Sequence, residues 1–335
     1  MPEQPPVITV IGEALIDLVP AGGPGGYTAQ PGGSPYNVAI GLARLGRRAA
    51  LMARLGDNAF GRLLRGHAAA EGVDLDYAPD AAEPTTLAVV SVDDAAQASY
   101  DFYYAGTADW QWTGPELARV PADTAALHLG SLAALLPPGA DRLHGLVRSI
   151  RAGADGKAGA PGATISYDPN IRPALLDTVT DARGRVEALI ALADLVKLSD
   201  ADLAWLRPGQ TPEQFVLEQS GGPGRIAVVT LGGQGAVAAA PEAGSHRLPA
   251  HSVAVVDTVG AGDSYMSALL AGLADRGLLG AGRRAALHGV GPDTFRGILT
   301  QAAVAAAVTC ERRGSNPPTR AELQARLAAS GALAG

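Results

Sequence analysis

Short apolar strand patterns alternate with helical ones along most of this chain, and that alternation leaves few architectures open. Residues 7–11 read as a buried strand ending at Gly12. Residues 34–45 read as a helix, with Val38, Ile40, Leu42 and Leu45 apolar and Gly46 as its stop. A strand at 49–53 and a helix at 59–70, ended by Gly72, follow. Further strands are predicted at 125–129, 164–167, 195–198 and 226–230, and helices at 139–151, 182–193 and 212–219. Strands separated by helices do not pair as hairpins. They predict an α/β fold whose mostly parallel sheet carries helices on both faces.

One region breaks this rhythm. Residues 86–92 and 99–104 read as strands joined by a turn at 93–97. Apolar and polar residues partly alternate there, as in an antiparallel hairpin with one wet face. Residues 14–19 extend it. We read a small β lid, formed by about 12–19 and 86–110, on a single domain spanning 1–335; a plain surface hairpin is the alternative. The Gly/Ala-rich stretch 152–162 reads as a flexible loop.

The 335 residues are 47% hydrophobic and 18% charged, a globular composition with ample material for a core. A net charge of −7 argues against a nucleic-acid surface, and no apolar run is long enough to span a bilayer. Residues 1–20 are apolar only in pieces and lack a basic leader, so no signal peptide is read. The single cysteine, Cys310, excludes an internal disulfide and a cysteine metal cluster, and fits a reducing, cytoplasmic compartment.

The stretch Asp257-Thr258-Val259-Gly260-Ala261-Gly262-Asp263 runs straight into an alanine-rich apolar helix. Backbone N–H groups at a helix start lack intrahelical partners and attract anions. Gly260, Ala261 and Gly262 let a phosphate approach that backbone. A carboxylate there would repel a phosphate, so Asp263 makes chemical sense as the base for a hydroxyl attacking it. An N-cap carboxylate on an ordinary helix is the other reading.

Five further constellations could carry chemistry. In Gly32-Gly33-Ser34-Pro35-Tyr36-Asn37 two glycines precede a helix start, and the Asn37 amide could bind vicinal hydroxyls; a tight turn before a core helix explains the same letters. Asp17 stands in the apolar run 13–18, alternating onto one face with Glu13 and Leu15, where ligand hydroxyls or solvent would satisfy it. Asp168-Pro169-Asn170-Ile171-Arg172 follows a strand, where open α/β sheets bind ligands, and Arg172 could grip a phosphate; mutual capping in a proline turn is the alternative. Lys197 could neutralise phosphate and Asp202 hold Mg2+ through water, while Ser199 suits an N-cap. Thr230, Gly232 and Gly235 suit a nucleotide phosphate or simply a turn between strands. There is no P-loop, no G-x-S-x-G elbow, no dinucleotide fingerprint and no H-E-x-x-H; His128, His144 and His288 read as structural or solvated.

Residues 32–39, with Gly46 and Gly56, resemble the N-terminal signature of the ribokinase/pfkB family of carbohydrate kinases, and residues 257–263 resemble its C-terminal signature. The resemblance runs from about Val7 to Leu327. Gly12-Glu13-Ala14-Leu15-Ile16-Asp17, the 105–109 segment, the 168–172 segment and residues 312–318 are most similar to bacterial fructokinases, with 2-keto-3-deoxygluconate kinases sharing several. The resemblance implies a Rossmann-like, ribokinase-like body with a β lid, and transfer of the ATP γ-phosphate to a primary hydroxyl of a ketohexose, D-fructose first. It implies sugar contacts at Asp17, Gly32, Gly33 and Asn37, with Gly106 and Asp109 nearby. Asp263 becomes the base, residues 260–262 the anion hole, and Arg172 a phosphate-binding arginine. Asn170, Lys197, Ser199, Thr230, Gly232 and Gly235 fall to the nucleotide. The family's Asn-x-x-Glu metal motif stands here as Ser199-x-x-Asp202, and Asp257 with the loop at Gly314 corresponds to a monovalent-cation (K+) site. Lid residues Tyr103, Tyr104 and Trp110 are expected to select the sugar, and a homodimer through the lid is expected. A catalytically silent sugar-binding protein and a nicotinamide-dependent dehydrogenase are the rivals from other classes.

Overall fold

In a computed structural model of the protein, which describes residues 6–21, 23, 25–92, 98–154, 156 and 162–329, the body is an eight-stranded sheet. Its order is Gly244–Leu248, Ala236–Ala240, Ile226–Thr230, Leu195–Ser199, Thr164–Asp168, Thr124–Gly130, Val7–Ile11, Arg48–Met52. From Ile226–Thr230 to Arg48–Met52 every pairing is parallel; the two strands at the other edge are antiparallel. The side-chain period of two divides the strands between two cores. Ile226 and Val228 enter one, Ala227 and Val229 the other. Ser34–Arg44, Ala261–Asp275 and Pro292–Cys310 cover the first face; Ala140–Ala154 and Ala182–Leu192 cover the second. Close helix approach on the first face needs Gly41, where an added Cβ would stand 2.3 Å from Ser267 Oγ.

The strands at 7–11 and 226–230 and the helix at 59–70 lie where the sequence puts them, and the other expected elements shift by one to three residues at their ends. Ala236–Ala240 and Gly244–Leu248 escaped the reading because the first is alanine but for Val237 and the second, Gly-Ser-His-Arg-Leu, holds no β-branched or aromatic residue. The helices Pro292–Cys310 and Arg320–Ala329 were also unassigned.

The lid is a four-stranded sheet, ordered Tyr27–Gly32, Leu15–Pro20, Leu87–Val92, Ala98–Tyr103. Its first strand was unforeseen: Pro31 reads as a breaker, yet an edge strand tolerates it. The expected turn 93–97 and most of the 152–162 loop lie outside the described residues; the helix before the latter runs on to Ala154. Among the described residues no helix is long and apolar enough to cross a membrane.

Candidate active site

Parallel strands deliver their carboxyl ends to one edge of the sheet, and Gly12, Gly130, Asp168, Ser199 and Thr230 all stand there. Two cavities open above that edge, of about 530 Å³ under the lid and about 400 Å³ beside it. Both are walled by Asn170, Thr258, Gly262 and Asp263.

Asp263 sits in the first turn of Ala261–Asp275, whose N-cap Gly260 has φ 75. A Cβ at Gly260 would stand 2.1 Å from Ser315 Oγ, so the turn needs glycine for conformation and for space. Ser264 N–H bonds back to Gly260 O at 2.8 Å and Ala261 N–H to Thr258 O at 3.3 Å; among the described residues the N–H groups of Gly262 and Asp263 have no backbone partner. The neighbouring helix holds the carboxylate. Ser34 Oγ donates to Oδ1 (2.6 Å) and Asn37 Nδ2 to Oδ2 (2.8 Å). Burial raises the Asp263 pKa, against Ser34, Asn37, Lys197 and Arg172. A helix start alone would lower it; desolvation wins here, and the shift moves Asp263 toward a useful base. The Ser34 contact escaped sequence reading.

The cavity under the lid takes Asp17, Gly33, Asn37 and Arg172 from the sequence-predicted set. Burial pushes the Asp17 pKa to about 6, with Arg172 opposing and Asp263 adding to the rise. Gly32 does not line the cavity. It makes room for the carboxylate, since a Cβ there would stand 2.2 Å from Asp17 Oδ2. Gly33 (φ 103) backs onto Glu13, whose carbonyl would meet an added Cβ at 2.7 Å. Arg172 is exposed, and its Nη1 donates to Asn170 Oδ1 at 2.7 Å.

Gly106 and Asp109 are corrected. Gly106 is exposed and off the cavity wall. Asp109 is fully buried; its Oδ1 accepts Ala14 N–H at 2.9 Å, and burial pushes its pKa to about 7. It anchors the connector that enters the lid strand Leu15–Pro20. Tyr104 and Trp110 are also corrected. They meet edge to face, and buried Trp110 donates to Tyr104 O at 2.8 Å. Tyr100 and Phe102 are the lid aromatics on the cavity; Tyr103 lines a separate groove beside Arg172. Glu13, Ser131 and Leu132 line the cavity as well, and none was assigned from sequence.

The second cavity has Ala261, Gly262, Thr230, Gly232 and Gly235 near Asp263, and Val253, Ala303 and Ala307 in an apolar part. Gly235 also turns the antiparallel hairpin: with φ 93, a Cβ would stand 2.0 Å from Leu248 O. Lys197 is not a free cation. It is buried and pairs with Asp168 at 2.7 Å beneath Gly262, where an added Cβ would stand 3.5 Å from its Nζ. Burial works against the ammonium, but Asp168, Asp202 and Asp263 outweigh it and raise its pKa. Asp168 itself is pushed by burial to about 6.

Asp202 lines this cavity, but both its oxygens are engaged. Its Oδ1 accepts Ile171 N–H (2.7 Å), and its Oδ2 accepts the N–H (2.9 Å) and hydroxyl (2.6 Å) of Ser199. The pair is a capping box clamping two loops together. Asp257 is a clamp too: Oδ1 accepts Val259 N–H (3.0 Å) and Oδ2 accepts Gly314 N–H (2.8 Å). Among the described residues no group of three or more His, Cys, Asp or Glu could hold a metal ion by itself. Asp168 Oδ1, on the cavity wall, is buried without a hydrogen-bond partner among the described residues.

Two cavities meeting at one carboxylate, with a free helix start between them, suit the passage of an anionic group from one ligand to a hydroxyl of another. With the sheet-and-lid fold, this defines a small-molecule kinase. Residues 6–322 match the sequence model of the pfkB family carbohydrate kinases, and the chain belongs to that family. It is 35% identical over 273 residues to a fructokinase of Klebsiella pneumoniae, covering 81% of this chain and 85% of that one. It is 32% identical to probable fructokinase-4 of Arabidopsis thaliana over 337 residues, 96% of each. A double mutant of the fructokinase from Vibrio cholerae O395, in its fructose, ADP and potassium ion bound form, superimposes with a TM-score of 0.81 at 26% identity, covering 97% of this chain and 100% of that one.

Proposed function

We propose that this chain is an ATP-dependent fructokinase that phosphorylates the 6-hydroxyl of D-fructose. The observation carrying the reading is the Asp263 carboxylate, held by Ser34 and Asn37 where the two cavities join. The curated relatives named fructokinase and the relative that binds fructose and ADP support the choice of sugar and nucleotide.

Fructose lies under the lid against Asp17, Asn37 and Arg172; ATP lies along Thr230, Gly232 and Gly235 with its base toward Val253 and Ala303. Asp263 accepts the 6-hydroxyl proton. A carboxylate cannot deprotonate an alcohol beforehand, so the proton moves as the phosphoryl group arrives, which suits a loose transition state. The N–H groups of Gly262 and Asp263 stabilise the transferring charge, with Lys197 below them. Tyr100 and Phe102 exclude water when the lid closes. Mg2+ bound with ATP supplies charge neutralisation; Asp168, with its free Oδ1, fits the water shell of such an ion better than Asp202. Asp257 and the Gly314 turn are the proposed K+ site. The lid's outer strands, carrying exposed Tyr27, Tyr100 and Tyr103, are the proposed dimer edges, and we take the place of action to be the cytoplasm.

Arg172 on the cavity wall favours one second reading, since a guanidinium would also pair with the carboxylate of a sugar acid such as 2-keto-3-deoxygluconate. Coupled ADP-release kinetics over a sugar panel decides. The highest kcat/KM on fructose is expected. A higher value on a sugar acid overturns the substrate, and no ADP release with any sugar overturns the kinase.

A further inference from the structure

Glu13 lies on the three-residue connector between the body strand Val7–Ile11 and the lid strand Leu15–Pro20. It is 1% exposed, yet it lines the cavity under the lid. Its Oε2 accepts Ala133 N–H at 3.2 Å. Ala133 belongs to the single turn Leu132–Ala134, whose own N-cap, Ser131, makes no side-chain capping bond. Glu13 therefore caps that turn from 120 residues away in sequence.

The turn needs holding. Ser131 has φ 58 and ψ −154, a region that L-residues occupy only when the surroundings impose it. It is buried and lines the same cavity, with Leu132 beside it. Three bonds pin it. Ser131 N–H donates to Asp168 O at 2.9 Å on one side, and on the other Glu13 takes Ala133 N–H and the Ser131 hydroxyl. Among the described residues no hydrogen bond joins Glu13 to Asp263, so it stands outside the phosphoryl-transfer machinery.

We propose that Glu13 is a positioning residue for the acceptor sugar: it pins the strained Ser131–Leu132 wall against the sugar and so sets sugar affinity without joining the transfer. The proposal rests on the sugar-kinase reading above. The backbone conformation of Ser131 supplies a test that a merely stabilising role does not pass, because glycine adopts φ 58 without strain.

Steady-state kinetics with fructose and ATP, and calorimetric titration of fructose alone, compare four proteins: wild type, Glu13→Gln, Glu13→Ala and Glu13→Ala/Ser131→Gly. In Glu13→Ala we expect fructose KM and Kd to rise ~10-fold with ATP KM within ~2-fold, the size of a released backbone strain. Glu13→Gln keeps one acceptor oxygen for Ala133 and should fall between. The double variant should recover most of the lost affinity. ATP KM rising in step with fructose KM, Gln performing no better than Ala, or glycine giving no recovery would each overturn the proposal. If Glu13→Ala does not fold, Glu13→Gln against Glu13→Gln/Ser131→Gly carries the same comparison. Wild type inactive on fructose sinks the substrate reading instead, and the variants are then compared by kinetics and titration on whichever sugar the panel selects.

Discussion

Replacing Asp263 by Asn separates the base from everything else this side chain does. The carboxylate accepts one hydrogen bond from a hydroxyl, Ser34 Oγ, and one from an amide, Asn37 Nδ2. Asn can keep both. Its carbonyl oxygen accepts from Asn37, and its NH2 donates to Ser34 Oγ once that hydroxyl rotates. The substitution also removes a charge whose ionised form burial disfavours. The fold should therefore be no less stable, and the Asp17–Asn37 face of the sugar cavity should stand unchanged.

What disappears is the proton acceptor. General-base catalysis is worth about 10²- to 10⁴-fold, or roughly 3 to 5 kcal/mol of barrier. The raised pKa places Asp263 on the effective side of that range. We expect kcat for fructose phosphorylation to fall ~10³-fold, with calorimetric fructose affinity within ~3-fold and an unchanged or higher melting temperature. Coupled ADP release measures the first, and the other two guard against misfolding. Turnover of the Asn variant within ~10-fold of wild type would refute the argument, because among the described residues no other carboxylate accepts these two side-chain donors.

Ser34→Ala removes a donor that favours ionised Asp263, so the acid limb of the kcat/KM–pH profile should move to higher pH; an unmoved limb assigns the limb to another group. Gly32→Ala drives a methyl group to 2.2 Å from Asp17 Oδ2 and should weaken fructose binding by ~10-fold or more with ATP KM little changed, whereas unchanged calorimetric affinity removes Asp17 from the pocket. Arg172→Ala should raise a substrate KM or lower turnover by ~10-fold, and kinetics unchanged in both leave Arg172 only its tie to Asn170. Burial raises the pKa of Glu13 and Asp109 to about 7, so the folded protein holds their protons where the unfolded chain has released them. Ligand-free stability should then fall as pH rises from about 4.5 to about 7 and level off above; Asp109→Asn, which keeps an acceptor for Ala14 N–H, should flatten that slope in denaturant titrations, and an identical slope contradicts the assignment.

Local pattern carried the fold and the approximate place of the site. Alternating apolar periods and glycine stops mark the strand and helix at 7–11 and 59–70 without help from the rest of the chain. The turn at 257–263 announces itself because its chemistry is built from neighbours in sequence. The lid aromatics show where such reasoning stops. Strand parity alone pairs Tyr100 with Phe102 and opposes both to Tyr103, but which face meets the cavity depends on how the lid is hung.

The acidic residues show the deeper reason. By composition Asp17, Asp109, Asp202, Asp257 and Asp263 are the same group at turns or strand ends, and all drew a functional assignment. The structure divides them by what they accept. Asp109 takes Ala14 N–H, Asp202 takes the N–H groups of Ile171 and Ser199, and Asp257 takes those of Val259 and Gly314. A backbone donor cannot be withdrawn without moving the chain, so such a carboxylate is committed to holding a loop. Asp263 takes side-chain donors, a rotatable hydroxyl and an amide, which can yield to a substrate without cost to the fold. Asp17 faces the cavity with room kept by Gly32. Glu13 falls between the two groups, lining the cavity while accepting Ala133 N–H, and that double membership is what a positioning residue requires.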